Sequence, residues 1–334
     1  MGKILVLGAT GAMAVYLVPL LLDKGYTVVG VSLDDAKSYD EKLTYIKADA
    51  TDIDFLKNQL KEGYDAVVDF MVYKSVDLFK KYYELFLKNT KHYIFLSTYR
   101  VYADDAPLSE TSARLLDVEK PEDFVTEFEY SIYKAEEEDL LNASGYNNYT
   151  IVRPAITYSK RRFQLTILEA DVLLYRMLSG KTVVLPEGAM KKQATMSWAG
   201  DVAKMIESII LNPKAYRETY NVSTAEHMSW EDIAKIYQEM GGLKYITVDN
   251  ETFLDIIGLD LARQQLLYDR CFDRIVDNSK ILSLCGMKQE ELMPLKDGLM
   301  HEFKNVTVDS IGCNEYINSR MDKYIESISS NPNM

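Results

Sequence analysis

The chain of 334 residues is poor in the residue types that staple or metallate small folds. Its three cysteines, Cys271, Cys285 and Cys313, are odd in number and lack C-x-x-C spacing, so neither a disulfide framework nor a zinc site is expected. Its three histidines, His92, His227 and His301, are scattered without ligand spacing, and no metal is expected. Positive charge is also scarce: 38 Lys and Arg stand against 51 Asp and Glu, a formal net charge of −13. That balance opposes non-specific nucleic-acid binding, whose usual footprint is a basic face. No apolar run reaches membrane-spanning length, and the chain enters a strand at once, with no charged leader and cleavage site before it. The expectation is a cytoplasmic protein without a nucleic-acid or membrane partner. With 47% hydrophobic and 27% charged residues, the composition is that of a globular protein, long enough for two domains.

What is present begins with an aliphatic run, Ile4-Leu5-Val6-Leu7, that reads as a strand buried on both faces. It runs into Gly8-Ala9-Thr10-Gly11-Ala12-Met13-Ala14 and then a helix over Val15 to Leu22. A strand that turns at a glycine into a helix leaves unpaired N–H groups and the positive end of the helix dipole at the turn, which suits a pyrophosphate. Gly8 permits the sharp turn, Gly11 the close approach of backbone to phosphate, and Ala14 the tight packing of helix on strand. The alternative is a turn that only starts a helix.

Further strands are expected at Tyr26 to Val31, Leu43 to Ile46, Asp65 to Met71, Tyr93 to Leu96 and up to Ile151-Val152. Helices are expected at Ile53 to Lys61, started by Asp52 or Thr51, and at Val76 to Lys88. This alternation predicts an α/β fold, a doubly wound parallel sheet of Rossmann type, whose ligands lie beyond the carboxyl ends of the strands. Gly8, Ser32, Asp49, Met71 and Thr98 all fall at those ends. Ser32 stands 21 residues beyond Gly11, where NAD-binding units usually carry an acidic residue for the ribose. Asp34 and Asp35 come two and three positions late and no arginine follows at once, so NAD or NADP stays open, with a lean towards NADP.

Tyr130 and Lys134 are four apart in a helix-forming segment that runs to Leu141, so they project from one face. A phenol is a poor base at neutral pH, but a nearby ammonium favours the phenolate. Tyr130 could then exchange a proton with a substrate alcohol while Thr98, at a strand end, holds the same oxygen. The opposing reading of such a pair is ordinary surface. Ser159-Lys160-Arg161-Arg162 is a compact basic run, either a solvated loop or a clamp for a phosphate or nucleotide on the substrate. Ser229 with Asp232 reads as a helix N-terminus. Residues Cys313 to Ile328 read as an amphipathic helix, with a frayed end over Ser329 to Met334.

The order of these features resembles the extended short-chain dehydrogenase/reductase superfamily, the NAD(P)-dependent epimerase/dehydratase family. The resemblance rests on Gly8-x-x-Gly11-x-x-Ala14, Asp49, Ser97-Thr98-x-x-Val101-Tyr102, Tyr130-x-x-x-Lys134 and Arg153-Pro154. It continues through Trp198-Ala199-Gly200-Asp201, Tyr220-Asn221-Val222 and Asp277-x-x-Lys280, and covers residues 3 to about 303. It implies Thr98, Tyr130 and Lys134 as catalytic residues, Lys134 also touching the ribose. For the cofactor it implies Gly8, Thr10, Gly11, Ala12 and Met13 at the pyrophosphate, Ser32 at the ribose, and Asp49 and Ala50 at the adenine. Met71, Arg153 and Pro154 complete that set.

The same resemblance implies a dinucleotide-binding domain over 1–155, with returning segments about 195–225, and an interleaved smaller α/β substrate lobe over 156–330. It also implies a homodimer through Val76 to Lys88 and Tyr130 to Leu141. Tyr99-Arg100 stands where the 4,6-dehydratases have Asp-Glu, so water elimination is disfavoured. Two functions follow: an epimerase or reductase acting on a hydroxyl or carbonyl of a sugar-like substrate, with or without a linked nucleotide, or a non-catalytic dinucleotide sensor.

Overall fold

The computed structural model describes all residues except 1, 105, 123, 125–128 and 331–334. Six strands, β1 (Lys3–Leu7), β2 (Thr27–Ser32), β3 (Leu43–Lys47), β4 (Tyr64–Asp69), β5 (Thr90–Leu96) and β6 (Tyr149–Val152), form one sheet with a seventh at Glu218–Tyr220. Every pairing in it is parallel. The order runs Glu218–Tyr220, β6, β5, β4, β1, β2, β3, so the direction of winding reverses between β1 and β4. A crevice opens at such a reversal, beyond the strand ends.

Burial explains the central strands. Ile4 and Val6 face one layer, where helix α1 (Ala14–Asp23) packs with the later helix Ala199–Ile209. Leu5 and Leu7 face the other, with α2 (Ile53–Leu60), α4 (Tyr83–Asn89) and Leu141 of α5 (Tyr130–Ala143). A second core, built largely from residues beyond 155, fills the C-terminal part around Trp230, Leu173, Phe253 and Leu299. Two of the expected caps are in place: the Asp52 carboxylate accepts from the Asp54 and Phe55 amides, and Ser229 Oγ accepts from the Asp232 amide.

Two expected elements differ. The helix read as Val76 to Lys88 is broken into α3 (Val76–Phe79) and α4, because Tyr82 turns inward. Its ring stacks on Tyr73 with centroids 4.8 Å apart, and its hydroxyl donates to the Thr51 carbonyl at 2.7 Å. Strand β4 stops at Asp69, two residues early, because the Asp69 carboxylate takes the Met71 amide at 3.0 Å in place of a ladder partner. The C-terminal helix spans Glu315–Ser330 and so includes Ser329 and Ser330, while the rest of the expected frayed end lies outside the described residues. Among the described residues, no helix is long and apolar enough to cross a membrane and no group of three His, Cys, Asp or Glu could hold a metal.

Candidate active site

Two cavities lie along the rim of the sheet. The first, about 310 Å³, is lined by Gly8, Thr10, Gly11, Ala12, Met13 and Ala14 from the first turn. Ser32 and Leu33 after β2, Asp49 and Ala50 after β3, and Phe70 and Met71 after β4 close it. Gly8 sits at φ +75°, and a Cβ there would come within 3.3 Å of the Phe70 Cβ. At Gly11 a Cβ would meet only the Gly8 carbonyl, at 3.2 Å. No side chain caps the start of α1, whose Val15 and Tyr16 amides bond back to the Gly11 and Met13 carbonyls, so the positive end of its dipole is left for an anion. The backbone thus fits the pyrophosphate of a dinucleotide.

The ribose corner is built by a ring of hydrogen bonds. The Thr10 and Ser32 hydroxyls are 2.6 Å apart, Thr10 donates to the Asp34 carboxylate at 2.6 Å, and the Asp34 amide donates to Ser32 at 3.1 Å. Asp34, two positions later in sequence than the usual acid, is thereby carried back to the mouth of the groove. Arg161 reaches the same carboxylate from across the cleft at 3.8 Å. Asp49 accepts from the amide and hydroxyl of Thr51, which hold its carboxyl below the usual range.

The second cavity, about 300 Å³, is lined by Val72, Thr98, Tyr99, Arg100, Tyr130, Ala155, Ile156, Arg162, Gln265 and Arg270. Thr98 ends up here because β5 stops at Leu96 and Thr98 starts the short turn Tyr99–Val101, its Oγ1 accepting from the Arg100 amide at 3.2 Å. The hydroxyl proton is therefore free to point at a ligand. Ser97 goes the other way, buried, with Oγ donating to Glu138 at 2.5 Å. Tyr130 opens α5, and the Arg100 guanidinium lies over its ring at 5.2 Å. Glu129 holds that guanidinium at 3.0 Å.

Three residues assigned by resemblance lie elsewhere. Lys134 is completely buried and lines neither cavity: its ammonium is 2.9 Å from Glu137 and 4.5 Å over the Phe95 ring. A buried ammonium needs a carboxylate, and Glu137, three residues on, supplies it from the same face of α5. Burial, partly offset by Lys134, lifts Glu137 from 4.5 to about 7. Asp69, also buried, accepts from Tyr73 and Tyr93 at 2.8 and 2.7 Å, and desolvation raises it.

Arg153 is buried in a two-pronged pair with Glu138, at 2.8 and 2.6 Å, and donates to the Tyr102 hydroxyl at 2.8 Å. It pins α5 to the sheet and lines neither cavity. Pro154 is buried too, its carbonyl accepting from the Tyr99 amide at 3.0 Å. The sequence did not single out Gln265, Arg270 or Glu137, and marked Arg100 only as a departure from the dehydratases' Asp-Glu pair. Arg100 was legible as a charge two residues after Thr98, whereas nothing in the local pattern marked Glu137 as buried. Gln265 and Arg270 reach the site from more than a hundred residues away, and only the fold brings them in.

Comparison with known proteins agrees with this fold. The fold matches the epimerase Mth375 of Methanothermobacter thermautotrophicus, with a TM-score of 0.68 and 14% identity over 99% of this chain and 95% of that one. It also matches the UDP-glucuronic acid 4-epimerase of Bacillus cereus, determined with UDP-glucuronic acid and NAD, at 0.65 and 17% identity over 92% and 98%. In sequence, the chloroplast stem-loop binding protein of 41 kDa b of Arabidopsis thaliana is 25% identical over 257 residues, 72% of this chain and 63% of that protein. This chain thus spans less than two thirds of that relative's length. The profile of the NAD dependent epimerase/dehydratase family matches residues 4–223, about two thirds of the chain, from the strand before the glycine turn to the end of the sheet. The protein belongs to the NAD dependent epimerase/dehydratase family.

Proposed function

We propose that the protein is an enzyme that moves hydride between a nicotinamide dinucleotide and a hydroxyl or carbonyl carbon of a sugar-like, nucleotide-linked substrate, as an epimerase or a reductase. The observation that carries this reading is the meeting of Thr98 and Tyr130 in one cavity beside the glycine-turn groove. When bound, the cofactor takes or returns the hydride. Gly8, Gly11 and the start of α1 hold its pyrophosphate, Asp49 and Ala50 its adenine, and Ser32 with Asp34 its ribose. The Asp34 carboxylate repels a 2′-phosphate, which favours NAD over the NADP towards which the sequence leaned.

Thr98 donates a hydrogen bond to the substrate oxygen. Tyr130 takes the alcohol proton as hydride leaves and gives it back on reduction. The residues serving the cofactor come from 1–155, the returning segment about 195–225 adds the strand Glu218–Tyr220 to the sheet, and the lobe over 156–330 supplies Arg162, Gln265 and Arg270. Assembly as a homodimer through α3, α4 and α5 rests on the resemblance, and a monomer in sedimentation at micromolar concentration contradicts it.

One observation favours the second reading, a dinucleotide-binding protein without turnover: Lys134 is held in the core by Glu137. A thermal-shift screen of NAD, NADP and nucleotide sugars, followed by a turnover assay on the sugar that binds, separates the two, since a ligand of the folded state raises the melting point. Enzyme function predicts a sugar-dependent shift and product. A shift with NAD alone and no product for any sugar contradicts it.

A further inference from the structure

The basic run Ser159-Lys160-Arg161-Arg162 folds as a tight hairpin whose two arginines part company. The Ser159 amide donates to the Arg162 carbonyl at 3.0 Å and the Arg162 amide donates back to the Ser159 carbonyl at 2.9 Å, while the Arg161 amide donates to Ser159 Oγ at 3.1 Å. Its root is fixed. Ser159 is buried, the strand before it, Ile156–Tyr158, pairs with Met196–Trp198, and Glu169 holds Arg162 at 3.1 Å. The Lys160 backbone lies within hydrogen-bonding reach of the Tyr16 hydroxyl, so the tip rests on α1, the helix that starts at the glycine turn.

Arg162 lines the cavity beside β5. Arg161 points the other way, to the ribose corner of the groove, where it reaches the Asp34 carboxylate at 3.8 Å. Burial raises the Tyr45 phenol of β3 and the Arg161 charge partly offsets that rise, so the guanidinium stands near that ring as well. Both members of the Arg161–Asp34 pair are more than half exposed, at 52% and 59%. A solvated pair of this kind adds little to stability. Nor does it place Asp34, which is held by the Thr10 hydroxyl and by its own amide on Ser32. What Arg161 adds to the corner is charge. An acid there accepts from a 2′-hydroxyl and repels a 2′-phosphate, whereas a guanidinium beside it forms paired charge-assisted bonds with a phosphate.

Resting on the cofactor placement proposed above, we propose that Arg161 is a specificity-determining residue for the dinucleotide. With NAD it stays with Asp34, and with NADP it leaves Asp34 for the 2′-phosphate, so the groove prefers NAD yet accepts NADP. A residue of the C-terminal lobe thereby sets a cofactor range that Asp34 alone would narrow to NAD.

The test is calorimetric titration of the full chain with NAD and with NADP at low ionic strength, where an exposed charge acts furthest. The parent is expected to bind both, NAD more tightly. Arg161→Gln should weaken NADP at least about threefold while NAD affinity and melting point stay as in the parent, and Arg161→Lys should recover part of the loss. In Asp34→Asn, where the Asp34 charge no longer competes for the guanidinium, the same Arg161→Gln change should cost NADP more than it does in the parent. Lys160→Gln, at the same tip, should do less than Arg161→Gln. An unchanged NAD to NADP ratio in Arg161→Gln, equal weakening of both cofactors, an equal effect of Lys160→Gln, or no NADP binding by the parent overturns the proposal. A parent that binds neither dinucleotide would instead overturn the placement on which it rests.

Discussion

The two cavities along the sheet rim are built by different means. The groove beside β1 is organised by backbone, a glycine at positive φ and an uncapped helix start, and its walls all come from within 71 residues of the N-terminus. The cavity beside β5 is made of long side chains, delivered by segments as far apart as Val72 and Arg270. Backbone recognises what all dinucleotides share, whereas the side chains decide which substrate is used. A chain can therefore keep the first cavity constant and rebuild the second, and the fold alone does not name the reaction.

That contrast can be broken at several points. The largest effect is expected where a residue assigned by resemblance to the cofactor is structural. Arg153→Leu leaves the buried Glu138 with only the Ser97 hydroxyl and, at 3.4 Å, Arg114, and should cost about 3 kcal/mol in denaturant unfolding. The protein that remains folded should bind NAD with unchanged affinity. A variant of full stability with weakened NAD binding would return Arg153 to the groove.

Gly8→Val should cost about 2 kcal/mol by forcing a β-branched residue to φ +75°, and should abolish NAD binding in the same titration. Intact NAD binding would show that the turn is not where the pyrophosphate sits. Next comes pH. Glu137 is raised in the fold from 4.5 to about 7, so the native state holds its proton more tightly than the unfolded chain. Stability should fall as pH rises from about 4.5 through 7 and level off above, by on the order of 3 kcal/mol. Glu137→Gln should flatten that slope in melts taken across this window, and an unchanged slope would place the titration elsewhere. The smallest effect is at the ribose corner, where Asp34→Asn should narrow the preference for NAD over NADP by about tenfold, roughly 1.4 kcal/mol. If the variant's NAD to NADP affinity ratio equals the parent's, Asp34 does not read the 2′ position.

The groove was legible because its signals are local: glycine spacing, an aliphatic strand and a helix a few residues on. Thr98 and Tyr130 were legible for the same reason, one at a strand end and one at a helix start. Asp34 was seen but discounted, since its offset from Ser32 hid the Thr10 hydrogen bond that draws it back. The inward turn of Tyr82, which splits one helix into two, depends on Tyr73 and Thr51 and left no mark in the local pattern. Lys134 shows the limit most clearly. Spacing put it one turn from Tyr130, but its ammonium follows a buried acid whose burial no helical periodicity of this segment disclosed. The arginines at 100, 162 and 270 converge only through tertiary contacts.

The central claim is that Tyr130 handles the proton of a hydride transfer to or from the bound nicotinamide. It is tested most directly by single-turnover nicotinamide absorbance with a substrate deuterated at the carbinol carbon, comparing the parent with Tyr130→Phe. The account predicts a transient reduced nicotinamide carrying deuterium in the parent. In the variant that signal should be slowed by about a hundredfold or more, with NAD affinity unchanged. Equal rates in the two proteins, or turnover without deuterium ever reaching the nicotinamide, would contradict it.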